Sequence, residues 1–98
     1  EEEARIARAE LFLMDAADPV QRGGTGSTID WQQAASAARG RRVVLAGGLT
    51  PDNVAHAIGT VRPYGVDVSS GVEDAPGVKN SDKVARFLAS ARSAFDKR

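Results

Sequence analysis

Ninety-eight residues, 42% of them apolar, are enough for one domain over residues 1–98 with a modest core. Lysine plus arginine equal aspartate plus glutamate at 13 each, so net charge draws the chain toward neither nucleic acid nor an anionic membrane. The absence of cysteine excludes disulfide scaffolds, thiolate zinc sites and a cysteine nucleophile. No apolar run approaches the roughly 20 residues that cross a bilayer, and the acidic opening is unlike a signal peptide; a soluble, cytoplasmic protein is the expectation.

The opening "EEEARIARAE" reads as a helix with no strand before it, so the chain starts partway through a βα unit. "LFLM" (Leu11 to Met14) is then a short buried strand, followed by the glycine loop "DPVQRGGTGST". Asp30 with Gln33 three residues on makes a capping-box start, and Trp31, Ala34, Ala35 and Ala38 share one helical face. Trp31 is expected in the core. "ARGRRVV" supplies a solvated basic turn (Arg39, Arg41, Arg42) ahead of a second strand, "VVLA" (Val43 to Ala46). "GGLTPDN" follows, with Thr50 as N-cap, Pro51 at the first helical position, and Val54, Ala57, Ile58 and Val61 on a buried face. His56 falls opposite that face and reads as a surface residue.

A third strand, Val66 to Val68, places Asp67 between two valines, where a buried carboxylate needs a partner. The loop "SSGVEDAPG" follows, in which Val72 to Ala75 reads as a short extra helix. Ser81 then caps a helix with Val84, Phe87, Leu88, Ala91 and Phe95 at helical spacing. The order βαβαβα argues for parallel strands joined by crossover helices. Eight such units close into a barrel of about 250 residues. The chain therefore reads as an α/β fold of (βα) repeats, either a small open domain or a partial TIM barrel made of about the last three units.

In such folds ligands lie at the carboxyl ends of the strands. Glycine there lets backbone approach an anion, and N–H groups at a helix start favour negative charge. Gly47 and Gly48 thus form either a phosphate-binding turn or merely a tight strand-to-helix connection. Ser69, Ser70 and Gly71 after the next strand favour the phosphate reading, because paired loops after consecutive late strands are a common barrel phosphate site. Nucleotide motifs fit worse: "GGTGST" has no lysine before its hydroxyl residues and no third glycine at dinucleotide spacing. Asp15, at the end of "LFLM", is placed as a general acid or base, or as a turn cap.

Taken in order, "LFLMDA…GGTGSTIDW", "VVLAGGLTPDNV" and "PYGVDVSSGVEDAPGVKNSDKVARF" resemble the carboxy-terminal part of phosphoribosylanthranilate isomerase, from about Leu11 to Phe87. The resemblance implies an Amadori rearrangement of N-(5-phosphoribosyl)anthranilate in tryptophan biosynthesis, with no cofactor and no metal. It implies Asp15 as general acid, Gly47, Gly48, Ser69, Ser70 and Gly71 as the phosphate site, Asp67 near the anthranilate part of the substrate, and Gly24 in the loop bordering the active site. Ser27 stands where many members have lysine. The family's general base is a cysteine on its first strand, and a substrate-binding arginine comes from its second. Neither strand is read here, so the isolated chain is expected to have little or no turnover. Three strands also leave two open edges, which implies self-association or docking with a complementary amino-terminal half-barrel. A non-catalytic phosphate-binding half-barrel is the alternative.

Overall fold

The computed structural model describes residues 10–17 and 29–97. The helix expected over the first ten residues and the "GGTG" loop with Gly24 lie outside the described residues, apart from Glu10.

Three parallel strands form one sheet: β1 (Phe12–Asp15), β2 (Val43–Ala46) and β3 (Gly65–Val66), in that spatial order. The register sets Leu13 beside Val44 and Asp15 beside Ala46, with Val44 beside Gly65 and Leu45 beside Val66. Because side chains alternate along a strand, Met14, Leu45 and Val66 share one face, and Leu13, Val44 and Gly65 the other. Helices α1 (Trp31–Ala38) and α2 (Val54–Val61) pack side by side, and α3 (Ser81–Asp96) packs on α2. Met14, Val43, Leu45, Leu49, Val54, Ile58, Val72 and Phe87 are buried in one core with Ala34, Ala38 and Ala91. On the opposite face, at the sheet's edge, Leu13 is 70% exposed and Leu11 just before β1 is 54% exposed. None of the described helices is long and apolar enough to cross a membrane.

The helix starts follow local chemistry. Asp30 Oδ1 accepts the N–H of Gln33 at 3.1 Å, as its spacing predicts. Thr50 and Asn53 bond reciprocally: Thr50 Oγ1 accepts the Asn53 N–H at 3.2 Å, and Asn53 Oδ1 accepts the Thr50 N–H at 2.8 Å. This is a capping box with asparagine in the acidic position. Pro51 to Asn53 form a turn, and regular helix begins only at Val54. Arg62 ends α2 in the left-handed region (φ 57°), its N–H bonded to the Ile58 carbonyl, and the buried Pro63 prevents continuation.

Several expectations are corrected. The third strand stops at Val66, so Asp67 is neither within a strand nor buried, although its N–H still donates to the Leu45 carbonyl at 2.8 Å. The segment expected to be a helix over 72–75 is instead a 3-10 turn, Ser70–Val72, running into a hairpin of β4 (Glu73–Ala75) and β5 (Val78–Lys79). Pro76 and Gly77 turn the chain there, Gly77 at φ +80°, a geometry no helix can continue. Asn80, not Ser81, caps α3: its Oδ1 accepts the Lys83 N–H at 2.9 Å, and Ser81 is already helical. Leu88 is 58% exposed, because Val84, Phe87, Ala91 and Phe95 fill the inward stripe and Leu88 lies at its margin.

At the amino ends of the strands, Arg41 lies 5.5 Å from the Phe12 ring and Arg42 4.9 Å from the Tyr64 ring. Trp31 is partly buried against the core and meets the exposed His56 edge-on at 5.8 Å.

Candidate functional site: three loops at the carboxyl end of the sheet

Asp15 is the last residue of β1, and its exposed carboxylate accepts the Ala17 N–H at 2.8 Å. The turn-cap reading therefore holds as a local hydrogen bond. It does not exhaust the residue. Gly47, the first residue past β2, lies directly beneath the Asp15 side chain: a Cβ on Gly47 would collide with Asp15 Oδ1 and stand 2.7 Å from its Cγ. Gly47 and Gly48 both occupy the left-handed region, at φ +79° and +74°, which side chains disfavour. Ile29 closes over Gly48, its Cδ1 2.9 Å from where a Cβ would be.

Behind this turn Asn53 makes two bonds at once. Its Nδ2 donates to the Gly48 carbonyl at 2.9 Å while its Oδ1 holds the Thr50 N–H. One amide thus ties the glycine turn to the start of α2. Sequence reading assigned the cap to Thr50 and missed Asn53. The signal available was a polar amide three residues after a threonine, the capping-box spacing.

The loop after β3 packs on this turn backbone to backbone. A Cβ on Gly71 would overlap the Leu49 carbonyl oxygen and lie 3.3 Å from Thr50 Cα. Only glycine allows that approach. Ser69, Ser70 and Gly71 are thereby held against the residues that lead into α2. The N–H groups of Gly48, Ser70 and Gly71 reach no acceptor among the described residues. Asp67 lies one residue past β3. By alternation from Gly65 it falls on the face opposite the core, the face that also carries Asp15, with β2 between them.

The hairpin behind the 3-10 turn is laced by charge. Lys79 Nζ donates to Glu73 Oε2 at 2.8 Å and to the Ser69 carbonyl at 3.1 Å. Lys83 Nζ reaches the Glu73 carbonyl at 3.2 Å and Asp74 Oδ1 at 3.3 Å, and Asn80 Nδ2 donates to both Asp74 carboxylate oxygens at 3.1 Å. The Lys79 hydrogen bond holds the Glu73 carboxyl below its ordinary range, and the Asn80 and Lys83 bonds do the same for Asp74. This network escaped the sequence reading, which took the segment for a helix. A Pro-Gly turn flanked by "VED" and "VKN" was the signal, since a hairpin there sets Glu73 opposite Lys79.

A groove of about 470 Å³ between α2 and α3, lined by Ala55, Gly59, Ala89, Ser93 and Ala94, contains none of these loop residues. The converging loops form an open sheet end. Its chemistry is a carboxylate beside a glycine turn, with N–H donors at two adjoining loops that meet no acceptor among the described residues.

Residues 1–90 match the profile of the family described as N-(5'phosphoribosyl)anthranilate (PRA) isomerase. The N-(5'-phosphoribosyl)anthranilate isomerase of Trichlorobacter lovleyi is 60% identical over 84 residues, 85% of this chain and 41% of that protein. The crystal structure of TrpF from Jonesia denitrificans superposes with a TM-score of 0.71 at 52% identity, covering 91% of this chain and 42% of that one. A phosphoribosyl anthranilate isomerase in complex with reduced 1-(o-carboxyphenylamino)-1-deoxyribulose 5-phosphate gives a TM-score of 0.67 at 40% identity, covering 94% and 42%. The chain spans about two fifths of the length of the relatives it matches. With a profile matched across nearly all of its residues, the chain belongs to the N-(5'-phosphoribosyl)anthranilate isomerase family.

Proposed function

We propose that these residues form the acid and phosphate-holding part of a phosphoribosylanthranilate isomerase, the last three βα units of an eight-unit barrel. The observation that carries this reading is the seating of Asp15 on Gly47, with Gly71 pressed onto Leu49 behind it. A proton donor and two anion-binding loops are then parts of one rigid assembly.

In the reaction, N-(5-phosphoribosyl)anthranilate is held by its phosphate through the N–H groups of Gly48, Ser70 and Gly71, with Gly47 and Ser69 shaping the two loops. Asp15 delivers a proton to the ribose ring oxygen as the bond from that oxygen to the anomeric carbon breaks. The nitrogen lone pair forms a protonated imine to that carbon. A base then removes the proton from the neighbouring carbon, and the resulting enolamine becomes the aminoketose product. Asp67 faces the anthranilate part. Protonated Asp15 needs no resident metal or cofactor for this step, because the leaving oxygen is neutralised by the proton it receives, and Asp15 is left as the carboxylate.

No cysteine occurs among the 98 residues, so the family's base must come from elsewhere. The face bearing Leu13 and the edge of β1 offer the place where an amino-terminal half-barrel, or a second copy, would complete the sheet.

Titration of the 98-residue chain with the reduced carboxyphenylaminodeoxyribulose phosphate should show binding that inorganic phosphate displaces, without turnover of the substrate. Supplying the amino-terminal portion of a relative should restore turnover, and Asp15→Asn in that assembly should lower it by about 10²–10⁴-fold while ligand affinity stays within a few-fold. Binding indifferent to phosphate would remove the phosphate assignment. Full turnover by Asp15→Asn would reduce Asp15 to its turn bond with Ala17.

A further inference from the structure

Lys79 belongs to a hairpin well past the serine–glycine loop in sequence, yet its ammonium reaches back to both ends of the 3-10 turn. It bonds the Ser69 carbonyl before the turn and the Glu73 carboxylate after it. The peptide joining Ser69 to Ser70 is trans, as no cis bonds occur among the described residues. In a trans peptide the carbonyl and the following N–H point in opposite directions. Fixing the Ser69 carbonyl on Lys79 therefore turns the Ser70 N–H away from the hairpin. The same carbonyl also accepts the Val72 N–H at 3.3 Å, and the Val72 carbonyl accepts the Asn80 N–H at 2.8 Å, so both flanks of Ser70 and Gly71 are tied down. The Glu73 side chain is 12% exposed, while that of Lys79 is half exposed.

We propose that Lys79, held by Glu73, is a positioning residue that orients the Ser70–Gly71 backbone for a phosphate ester without touching that ester itself. This rests on the phosphate assignment made above. A free lysine beside an anion site would instead act as a direct counter-charge. The two roles differ in what Glu73 does. If Lys79 is a strap, Glu73 anchors it. If Lys79 is a counter-charge, Glu73 competes with the phosphate for it.

The test uses the full chain and two ligands, the reduced carboxyphenylaminodeoxyribulose phosphate and its dephosphorylated form. The unaltered chain should prefer the phosphorylated ligand. Lys79→Met should weaken binding of that ligand about tenfold, the scale of a charged hydrogen bond, and leave the dephosphorylated one unchanged. Lys79→Arg should restore most of the preference, and Glu73→Gln should weaken it several-fold. Tighter phosphate binding by Glu73→Gln would make Lys79 a direct ligand and overturn the proposal. So would an undiminished preference in Lys79→Met, or an equal loss of both ligands, which would make the lysine a support of the fold alone. An unaltered chain with no preference would instead remove the phosphate assignment, and this proposal with it.

Discussion

The two glycine loops at the carboxyl end of the sheet are rigid for different reasons. The one after β2 is set from within: Gly47 and Gly48 take backbone angles that side chains avoid, and the neutral Asn53–Thr50 pair locks them to the helix. The one after β3 is set from outside, by the close approach of Gly71 to Leu49 and by lysines reaching from a hairpin and from α3. A loop fixed by its own angles survives changes in charge but not in Cβ chemistry at those angles. A loop fixed by ion pairs answers to pH and salt.

The largest effect should come from the point where the loops touch. Gly71→Ala sets a methyl group onto the Leu49 carbonyl, which is backbone and cannot rotate away. Destabilisation of about 2–3 kcal/mol is expected, the upper part of the range for overpacking, with loss of phosphorylated-ligand binding. Gly59→Ala is the control: it lies within α2, where a Cβ meets nothing within 4 Å. It should stabilise by about 0.5–1 kcal/mol through helix propensity. Urea unfolding of the two variants reads both values. A mild Gly71→Ala would mean that the loops do not lean on each other.

Asn53→Ala comes next. It removes the bonds to Gly48 and Thr50 together and should cost about 1–1.5 kcal/mol, as loss of a helix cap does. Amide exchange should speed at Thr50, whose N–H loses its acceptor, and stay unchanged at Val72, whose N–H is held by the Ser69 carbonyl. Equal acceleration in both loops would erase the distinction between them.

What could be read from the sequence divides along the same line. Features set by neighbours in the chain were legible: the βαβαβα order, the Asp30 cap, the buried stripe of α2 and the glycine turn. Features set by distant residues were not. Asp67 between two valines looks buried from its neighbours alone, but its exposure depends on whether anything covers that face of the sheet. Leu88 has helical spacing, yet packing beside Phe87 and Ala91 decides which margin of the stripe faces water. The hairpin falls where a short extra helix is expected by analogy with barrel phosphate sites, and the pairing of Glu73 with Lys79 across the Pro-Gly turn decides otherwise. Of the site, Asp15 and the glycines stood out because their chemistry is local. Asn53 and Lys79 act through partners up to ten residues away.

The smallest effect is the acid response, and it separates the loops without any mutation. Glu73 and Asp74 are held below their ordinary pKa, Glu73 chiefly by the Lys79 hydrogen bond and Asp74 chiefly by that of Asn80. A carboxylate whose folded pKa is depressed adds stability above its unfolded value, and that stability fades as pH falls through the folded one. The hairpin should therefore be firm at neutral pH and loosen below about pH 4, where unperturbed carboxylates already bind protons. The bonds between Asn53 and Thr50 are themselves neutral, although Asp52 lies between the two residues and faces Arg86. Between pH 7 and pH 3, amide shifts of Ser70 to Val78 should move while that of the buried Leu49 holds nearly still, and Lys79→Met should shrink the movement near Glu73. Movement of both loops at one pH would show that the ion pairs hold the whole sheet end, with Gly71 transmitting the change to Leu49.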